Sequence, residues 1–427
     1  MISSQGAREC FVYITLPGET SFVTAGKFEL RKDRQGLPTG RFVYGRSYRD
    51  RDDAVPIDPD ELPLSGQTYM TSRLKGLFGA LRDASPDYWG RRVIEKRCGK
   101  PQLGEIDYLL ESPDDRAGAL EFGQGRKPPA PQRLFNQTLD LERLQDFADA
   151  IIADKEVPYS PEAQQAQDLL LAGTSMGGTR PKAVVEDRGG LWIAKLNRPD
   201  DRWNYARVER AMLQLARECG LQTANSKLVT IGDRDALLVR RFDREKTQKG
   251  YRRARMLSAL TLLRAENTHQ SRESWSYPMF AEALRRLSAQ SRTDAPELFS
   301  RMCFNALISN TDDHPRNHAV VAMDHEWRLS PAYDLTPSTP ISTERLDLAL
   351  TCGTFGQFAN ANNLLSQCER FLLQRDEAQQ IIDKMEQVIR HRWYDVARRE
   401  TVSEADCERI KGAFAYEGFR LNFFETE

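Results

Sequence analysis

The sequence predicts an α+β fold in two lobes, with strands concentrated in the first and helices in the second. Three observations carry this reading. The chain has 427 residues, more than one hydrophobic core usually organises. Strand-type alternation fills the front of the chain and returns in the middle. From about residue 253 onward the apolar positions recur with the helical period.

Taken in order, FVYITL, SFVTAGKFEL and GRFVYGRSY are separated by Pro-Gly, Gly and charged turns, so residues from Cys10 to about Gly66 predict a small antiparallel sheet or barrel. Residues 70–115 read as helices, and SPDYWGRRVIEKR carries a Ser-Pro start signal. GQGRKPPAPQ, about 123–132, is Gly/Pro-rich and basic, which marks a linker or exposed loop. A helix over roughly 138–154 precedes a second, in which Ser160 caps and Pro161 takes the first helical position, where its missing N–H costs nothing.

PKAVVEDRGGLWIAKL predicts two strands joined by the turn Asp187-Arg188-Gly189-Gly190. NYARVERAMLQLARECG places Val208, Met212, Leu215 and Cys219 on one helical face, with Gly220 as a stop. KLVTIG and DALLVRRF form a further strand pair, and HAVVAMDHEWRLSPAYD a short hairpin within the otherwise helical second lobe. These divisions give three segments: 1–120, a β-rich subdomain; 135–244, a nucleotide-binding part of the first lobe; and 245–427, the helical lobe.

Composition narrows the function classes. Hydrophobic residues are 40% and charged residues 29%, the profile of a globular rather than a disordered chain. Lys plus Arg number 61 against 62 Asp plus Glu, so no global field favours nucleic acid or anionic membrane. The start, MISSQGARECFVYITLPGE, lacks the pattern of a secretory signal, and no apolar run reaches the roughly 18 residues of a membrane span, so a cytoplasmic protein without a membrane is expected. Seven scattered cysteines fit neither a disulfide framework nor a CxxC metal site, and read as small buried hydrophobes.

The chemistry concentrates in Asn310-Thr311-Asp312-Asp313-His314-Pro315-Arg316-Asn317, a polar loop between the helical run MCFNALIS and a strand. Asp312 and Asn317 have the D-x4-N spacing of a protein-kinase catalytic loop. A carboxylate there accepts a substrate hydroxyl proton, and a neutral amide oxygen ligates Mg²⁺. Asp334, seventeen residues further and at the end of the hairpin, is placed to add a second hard oxygen ligand. The alternative for these residues is helix capping and Asx turns. Zinc held by His314 and His318 is disfavoured, because Pro315 interrupts the helix that would align them.

Upstream, Gly173 to Lys182 gathers glycines, hydroxyls and cations before a strand. Gly177, Gly178 and Thr179 would let backbone N–H groups approach phosphates, with Lys182 or Arg180 supplying charge; a plain flexible turn is the other reading. Lys195, flanked by Ala194 and Leu196 in a half-buried strand, suits a phosphate-pairing lysine oriented by Glu209, or else a snorkelling lysine. Arg240, Arg241 and Phe242 offer backbone groups to an adenine, with Asp243 facing ribose or an arginine; a surface salt-bridge cluster is the alternative.

In order, GTSMGGTRPKA (173–183), WIAKL (192–196), VERAMLQLA (208–216), RRFDR (240–244), FNALISNTDDHPRN (304–317) and LSPAYDLTPS (329–338) resemble the HipA family of toxin kinases. FVYGRSYRDRDDAVPIDPDELPLS and GALRDASPDYWGRR resemble that family's N-terminal subdomain. The resemblance implies a two-lobed protein-kinase-like fold binding ATP and Mg²⁺. In it Asp312 is the proton acceptor, Asn317 and Asp334 the metal ligands, and Lys195 the phosphate lysine. Arg240 to Phe242 form the adenine hinge, while His314 to Asn317, Arg316 included, and Tyr333 line the nucleotide. Ser175 aligns with the family's autophosphorylated serine and Thr174 is its rival. The loop departs from the commoner S-x-x-G-x-Q-x-K by having Arg180-Pro181 before Lys182.

The resemblance further implies a Ser/Thr protein substrate, in characterised relatives an aminoacyl-tRNA synthetase, with growth arrest. It implies a helix-turn-helix antitoxin as partner, and DNA contact only through that antitoxin. Two other functions remain to be separated from it: a non-catalytic ATP-binding partner or repressor subunit, and a metal-dependent nuclease using Asp312, Asp313, His314 and Asp334.

Overall fold

A computed structural model of the chain describes residues 9–131, 136–137, 141–153, 180–340 and 342–421. The expected helix beginning at Ser160, together with Thr174, Ser175, Gly177, Gly178 and Thr179, lies outside the described residues. The chain forms two compact units, neither continuous in sequence: Met1–Pro199 with Leu238–Leu257 and Val321–Glu326, and Asp200–Leu237 with Ser258–Val320 and Trp327–Glu427.

In the first unit, strands β1 (Glu9–Thr15), β2 (Phe22–Lys32), β3 (Pro38–Tyr44), β4 (Thr68–Thr71) and β5 (Leu120–Gly123) form an antiparallel sheet of order β4-β3-β2-β1-β5. Alternate residues enter its core, so Val12, Ile14, Phe28 and Phe42 are fully buried. Gly40 passes so close to Gly76 that a Cβ would stand 1.9 Å from the Gly76 carbonyl oxygen, which restricts the site to glycine. Helix α1 (Tyr88–Cys98) starts at Asp87, whose carboxylate accepts from the Gly90 N–H at 2.7 Å, and stops at Gly99 in the left-handed region (φ 61°). Helix α2 (Glu105–Glu111) follows it.

A second sheet of the same unit contains β6 (Asn136–Gln137), β7 (Lys182–Asp187) and β8 (Gly190–Leu196), with the Leu238–Arg240 end of β10 (Arg234–Arg240) beside β8. The β7–β8 hairpin turns at Arg188-Gly189 as expected, and its antiparallel register sets Lys182 opposite Lys195. Helix α3 (Leu141–Ile152) falls within the expected 138–154 span. β11 (Arg244–Thr247) and β12 (Gly250–Arg253) form a further hairpin.

In the second unit, helix α4 (Tyr205–Glu218) is capped by Asn204, which accepts from the Arg207 N–H, and the chain turns at Gly220 with φ 92°. Its face of Val208, Met212 and Leu215 is fully buried, and the helix packs on α7 (Arg375–Arg399). Helices α4 and α7 lie in the same unit. Helices α5 (Tyr277–Leu287) and α6 (Ser291–Leu307) pack together, and α6 also contacts α7. Among the described residues no helix is long and apolar enough to cross a membrane. All seven cysteines are free and five are buried; burial pushes the Cys10 thiol up to about 12.

Candidate functional site

Helix α6 ends at Leu307 and the chain reverses through Ser309, whose φ of 54° lies in the left-handed region. The loop that follows is locked from beneath. Asn310 donates from Nδ2 to the Asn305 Oδ1 at 3.1 Å, and its backbone N–H donates to the Asn305 carbonyl at 2.8 Å. Asn305 in turn donates to the Tyr277 hydroxyl at 3.0 Å, and that hydroxyl donates to the Asp313 carboxylate. His318 completes the set with Nε2 at 2.9 and 3.1 Å from the two Asp313 oxygens. Asn305, Asn310, Asp313, Tyr277 and His318 are all buried. A buried carboxylate with three hydrogen bonds and a rigid aromatic neighbour fixes the loop backbone around it. Burial and the Asp313 charge hold the Tyr277 phenol far above its ordinary range, so it stays a donor.

Asp312, the residue before this anchor, is exposed. Desolvation by its packed surroundings, then the charges of Asp334 and Asp313, raise its pKa above the usual carboxylate value, while Arg272 acts in the opposite direction. Asn317 donates from Nδ2 to the Asp312 carbonyl at 3.4 Å, and its Oδ1 takes no hydrogen bond among the described residues. The first expected pair is thus brought together at the turn Pro315–Asn317.

Asp334 arrives from the other side. Strands β14 (Ala319–Ala322) and β15 (Arg328–Leu329) fold the chain back, and the Ser330 N–H donates to the Ala319 carbonyl at 2.9 Å. Beyond them, the Ser338 N–H donates to the Ser309 carbonyl at 3.0 Å, Thr311 and Ser338 hydroxyls meet at 2.9 Å, and Asn310 Nδ2 lies 3.5 Å from the Asp334 carbonyl. Asp334 itself adopts φ 60°, a backbone conformation uncommon for a non-glycine residue. Tyr333 donates its hydroxyl to the Arg316 carbonyl at 2.8 Å.

His314 and His318 turn to different neighbours, which is not a zinc geometry. His314 accepts at Nδ1 from the Arg316 N–H at 3.0 Å and so carries its proton on Nε2, 2.8 Å from the Asn267 Oδ1. Its ring meets Trp275 edge-on at 4.5 Å. Burial first, and then Arg316, lower its pKa to about 4, so this side chain is neutral near pH 7.

The first unit holds the other expected residues. Lys182 is buried and its Nζ lies 2.7 Å from the Asp87 Oδ2, so its ammonium is paired with the cap of α1 rather than left for a phosphate. Asp87 sits in the helix-start segment SPDYWGRR, where the sequence gives no sign of a partner 95 residues away. Of the two expected places for Asp243, ribose or an arginine, the structure shows the arginine: Asp243 and the Arg241 side chain are buried in an ion-pair cluster with Asp115 and Arg244. The Arg241 backbone N–H donates to the Leu191 carbonyl at 2.9 Å, and the Gly118 N–H donates to Asp243 at 3.0 Å. Charges this deep must be paired, which is why the expected surface cluster is internal. Arg241 and Arg244 together hold the Asp243 carboxyl well below the ordinary range against its burial. Lys195 and Phe242 belong to this unit, and buried Glu209 to the second.

Comparison with known proteins resolves the family. Residues 174–393 match the HipA-like C-terminal domain, and residues 23–123 the HipA N-terminal domain. The chain belongs to the HipA family. A HipA protein of Shewanella oneidensis, solved with HipB and operator DNA, superposes with a TM-score of 0.69 at 17% identity, covering 94% of each chain. This likeness shows the α+β fold expected from the sequence. A Sinorhizobium fredii protein named "Putative kinase Y4mE" is 23% identical over 309 residues, 69% of this chain and 71% of its own. A Haemophilus influenzae protein with the same kinase designation is 24% identical over 227 residues, 48% of this chain and 60% of its own. Within this HipA chain, the sequence singled out Asp312, Asn317 and Asp334 but not their supports Tyr277, Asn305 and His318. A D-D-H pair of acids in one loop was the available signal that one carboxylate faces inward.

Proposed function

We propose that this HipA-family protein is an ATP-dependent kinase that phosphorylates a Ser or Thr hydroxyl of a bacterial protein, with Asp312 as proton acceptor. The observation that carries the reading is the convergence of Asp312, Asn317 and Asp334 on a loop anchored by a separate buried carboxylate, Asp313. A carboxylate whose proton affinity a second carboxylate raises, beside an amide oxygen, fits a hard divalent cation better than it fits empty solvent. When bound there, Mg²⁺ would screen phosphate charge, with Asp334 and Asn317 as its ligands.

In the transfer, the hydroxyl oxygen of the substrate forms a bond to the γ-phosphorus and the bond to the β,γ-bridging oxygen breaks. The hydroxyl proton passes to Asp312, and ADP leaves. Asp313 holds the loop, so Asp312 needs no reorganisation. Lys195 and the backbone of Arg240 and Phe242 are assigned to the nucleotide on the sequence resemblance. The same resemblance supports autophosphorylation at Ser175 or Thr174, a translation enzyme such as an aminoacyl-tRNA synthetase as substrate, and growth arrest as outcome. The HipB and operator DNA seen with the Shewanella protein support a helix-turn-helix antitoxin as partner.

The test is incubation with Mg²⁺ and γ-labelled ATP, beside Asp312→Asn, with and without candidate synthetases, followed by phosphosite mapping. Label on protein hydroxyls from the wild type alone supports the reading. Retained nucleotide binding with no label on any target would favour a non-catalytic partner.

A further inference from the structure

The loop has an unbalanced charge. Asp312 and Asp334 are brought together, Asp313 is already satisfied by Tyr277 and His318, His314 is neutral with both ring nitrogens engaged, and Arg316 is the one cation of the loop set against these acids. A transferring phosphoryl group would add further negative charge at the same place, and phosphoryl transfer depends on cations set there in advance.

Beyond Arg316, a second cation of the same unit answers that need. Arg272 lies in the turn His269–Ser274, which packs on the loop through Trp275. Its guanidinium sits 5.7 Å from the Trp275 ring centroid, and Trp275 in turn meets His314 at 4.5 Å. The indole is fixed by its Nε1–H, which donates to the Glu266 carbonyl at 3.1 Å, so the aromatic platform under Arg272 is rigid. Arg272 is half-buried, its Nε is buried with no hydrogen-bond partner, and no carboxylate pairs with it among the described residues. A half-buried guanidinium with an unused donor, oriented by an aromatic face within electrostatic reach of Asp312, is the arrangement that receives an anion.

We propose that Arg272 is a catalytic residue of this site, donating to the oxygens of the γ-phosphoryl group as it is transferred past Asp312. The proposal rests on the kinase reading above and adds a group that the D-x4-N pattern does not include. Its electrostatic reach to the loop is visible in the downward pull it exerts on both Asp312 and His314.

The experiment compares wild type, Arg272→Gln, Arg272→Lys and, as an equal loss of charge on the exposed face of α5, Arg286→Gln. Each is measured for phosphoryl transfer and, without turnover, for affinity toward Mg²⁺ with ADP and with β,γ-imido-ATP. Arg272→Gln is expected to lower kcat by roughly 100- to 1,000-fold. It should weaken β,γ-imido-ATP several-fold while leaving ADP unchanged, with partial recovery in Arg272→Lys and no effect of Arg286→Gln. Equal affinity of wild type and Arg272→Gln for β,γ-imido-ATP overturns the role of Arg272, whether or not the wild type transfers label. Loss of affinity for ADP and β,γ-imido-ATP alike would also overturn it, since a merely structural residue would act on both. A wild type that binds β,γ-imido-ATP through Arg272 but labels no protein overturns the kinase reading alone.

Discussion

Replacing Asp87 tests how the N-terminal subdomain is tied to the strand that follows the glycine-rich segment. Asp87 accepts from the Gly90 N–H at 2.7 Å and pairs with Lys182 at 2.7 Å, and the two side chains are 4% and 3% exposed. Asp87→Asn keeps a capping oxygen but takes the Asp87 charge away from a buried ammonium, opposite Lys195 on the neighbouring strand. Breaking one side of such a pair costs about 3–5 kcal/mol. Asp87→Ala removes the cap as well, adding about 1 kcal/mol. Lys182→Met in the Asp87→Asn background removes the buried ammonium and should restore most of the loss, because replacing both partners is far milder than removing one. Urea unfolding followed by tryptophan fluorescence is suited to this, since Trp89 is buried two residues along α1. If Asp87→Asn costs less than about 1 kcal/mol, or the double variant is no more stable than the single, the pair does not hold this part of the fold.

Three further outcomes follow from the same kind of geometry. Tyr277→Phe removes one of the donors to buried Asp313 and should cost about 1–3 kcal/mol; it should also lower phosphoryl transfer more than nucleotide affinity, as read by kcat against KM. His314, with its folded pKa depressed to about 4, binds its proton more readily when unfolded, so stability is intact above about pH 6.5 and is lost as pH falls from there toward 4. That loss is up to roughly 3 kcal/mol, and His314→Gln should flatten the slope in acid-unfolding curves. Asp243→Asn should lower the unfolding midpoint, by about 3–5 kcal/mol of stability, because Arg241 and Arg244 lose their shared buried partner; a variant that folds normally and loses only adenine affinity would return Asp243 to the nucleotide.

What the sequence determined by itself was local or patterned. Alternation specified the front sheet, Gly220 ended helix α4, and the Arg188-Gly189 turn set the β7–β8 hairpin, since each depends on residues within a few positions of one another. The Asp312 to Asn317 spacing was legible for the same reason, and the hairpin β14–β15 explained how Asp334 could return to it. Only the tertiary structure decided which carboxylate faces inward. Asp312 and Asp313 are chemically identical neighbours, and Tyr277, arriving from α5, and His318 select Asp313 as the anchor. It also decided the fates of Lys182 and Arg241, whose partners Asp87 and Asp115 lie 95 and 126 residues away in sequence. Burial requires a counter-charge, but it does not say from where along the chain that charge will come.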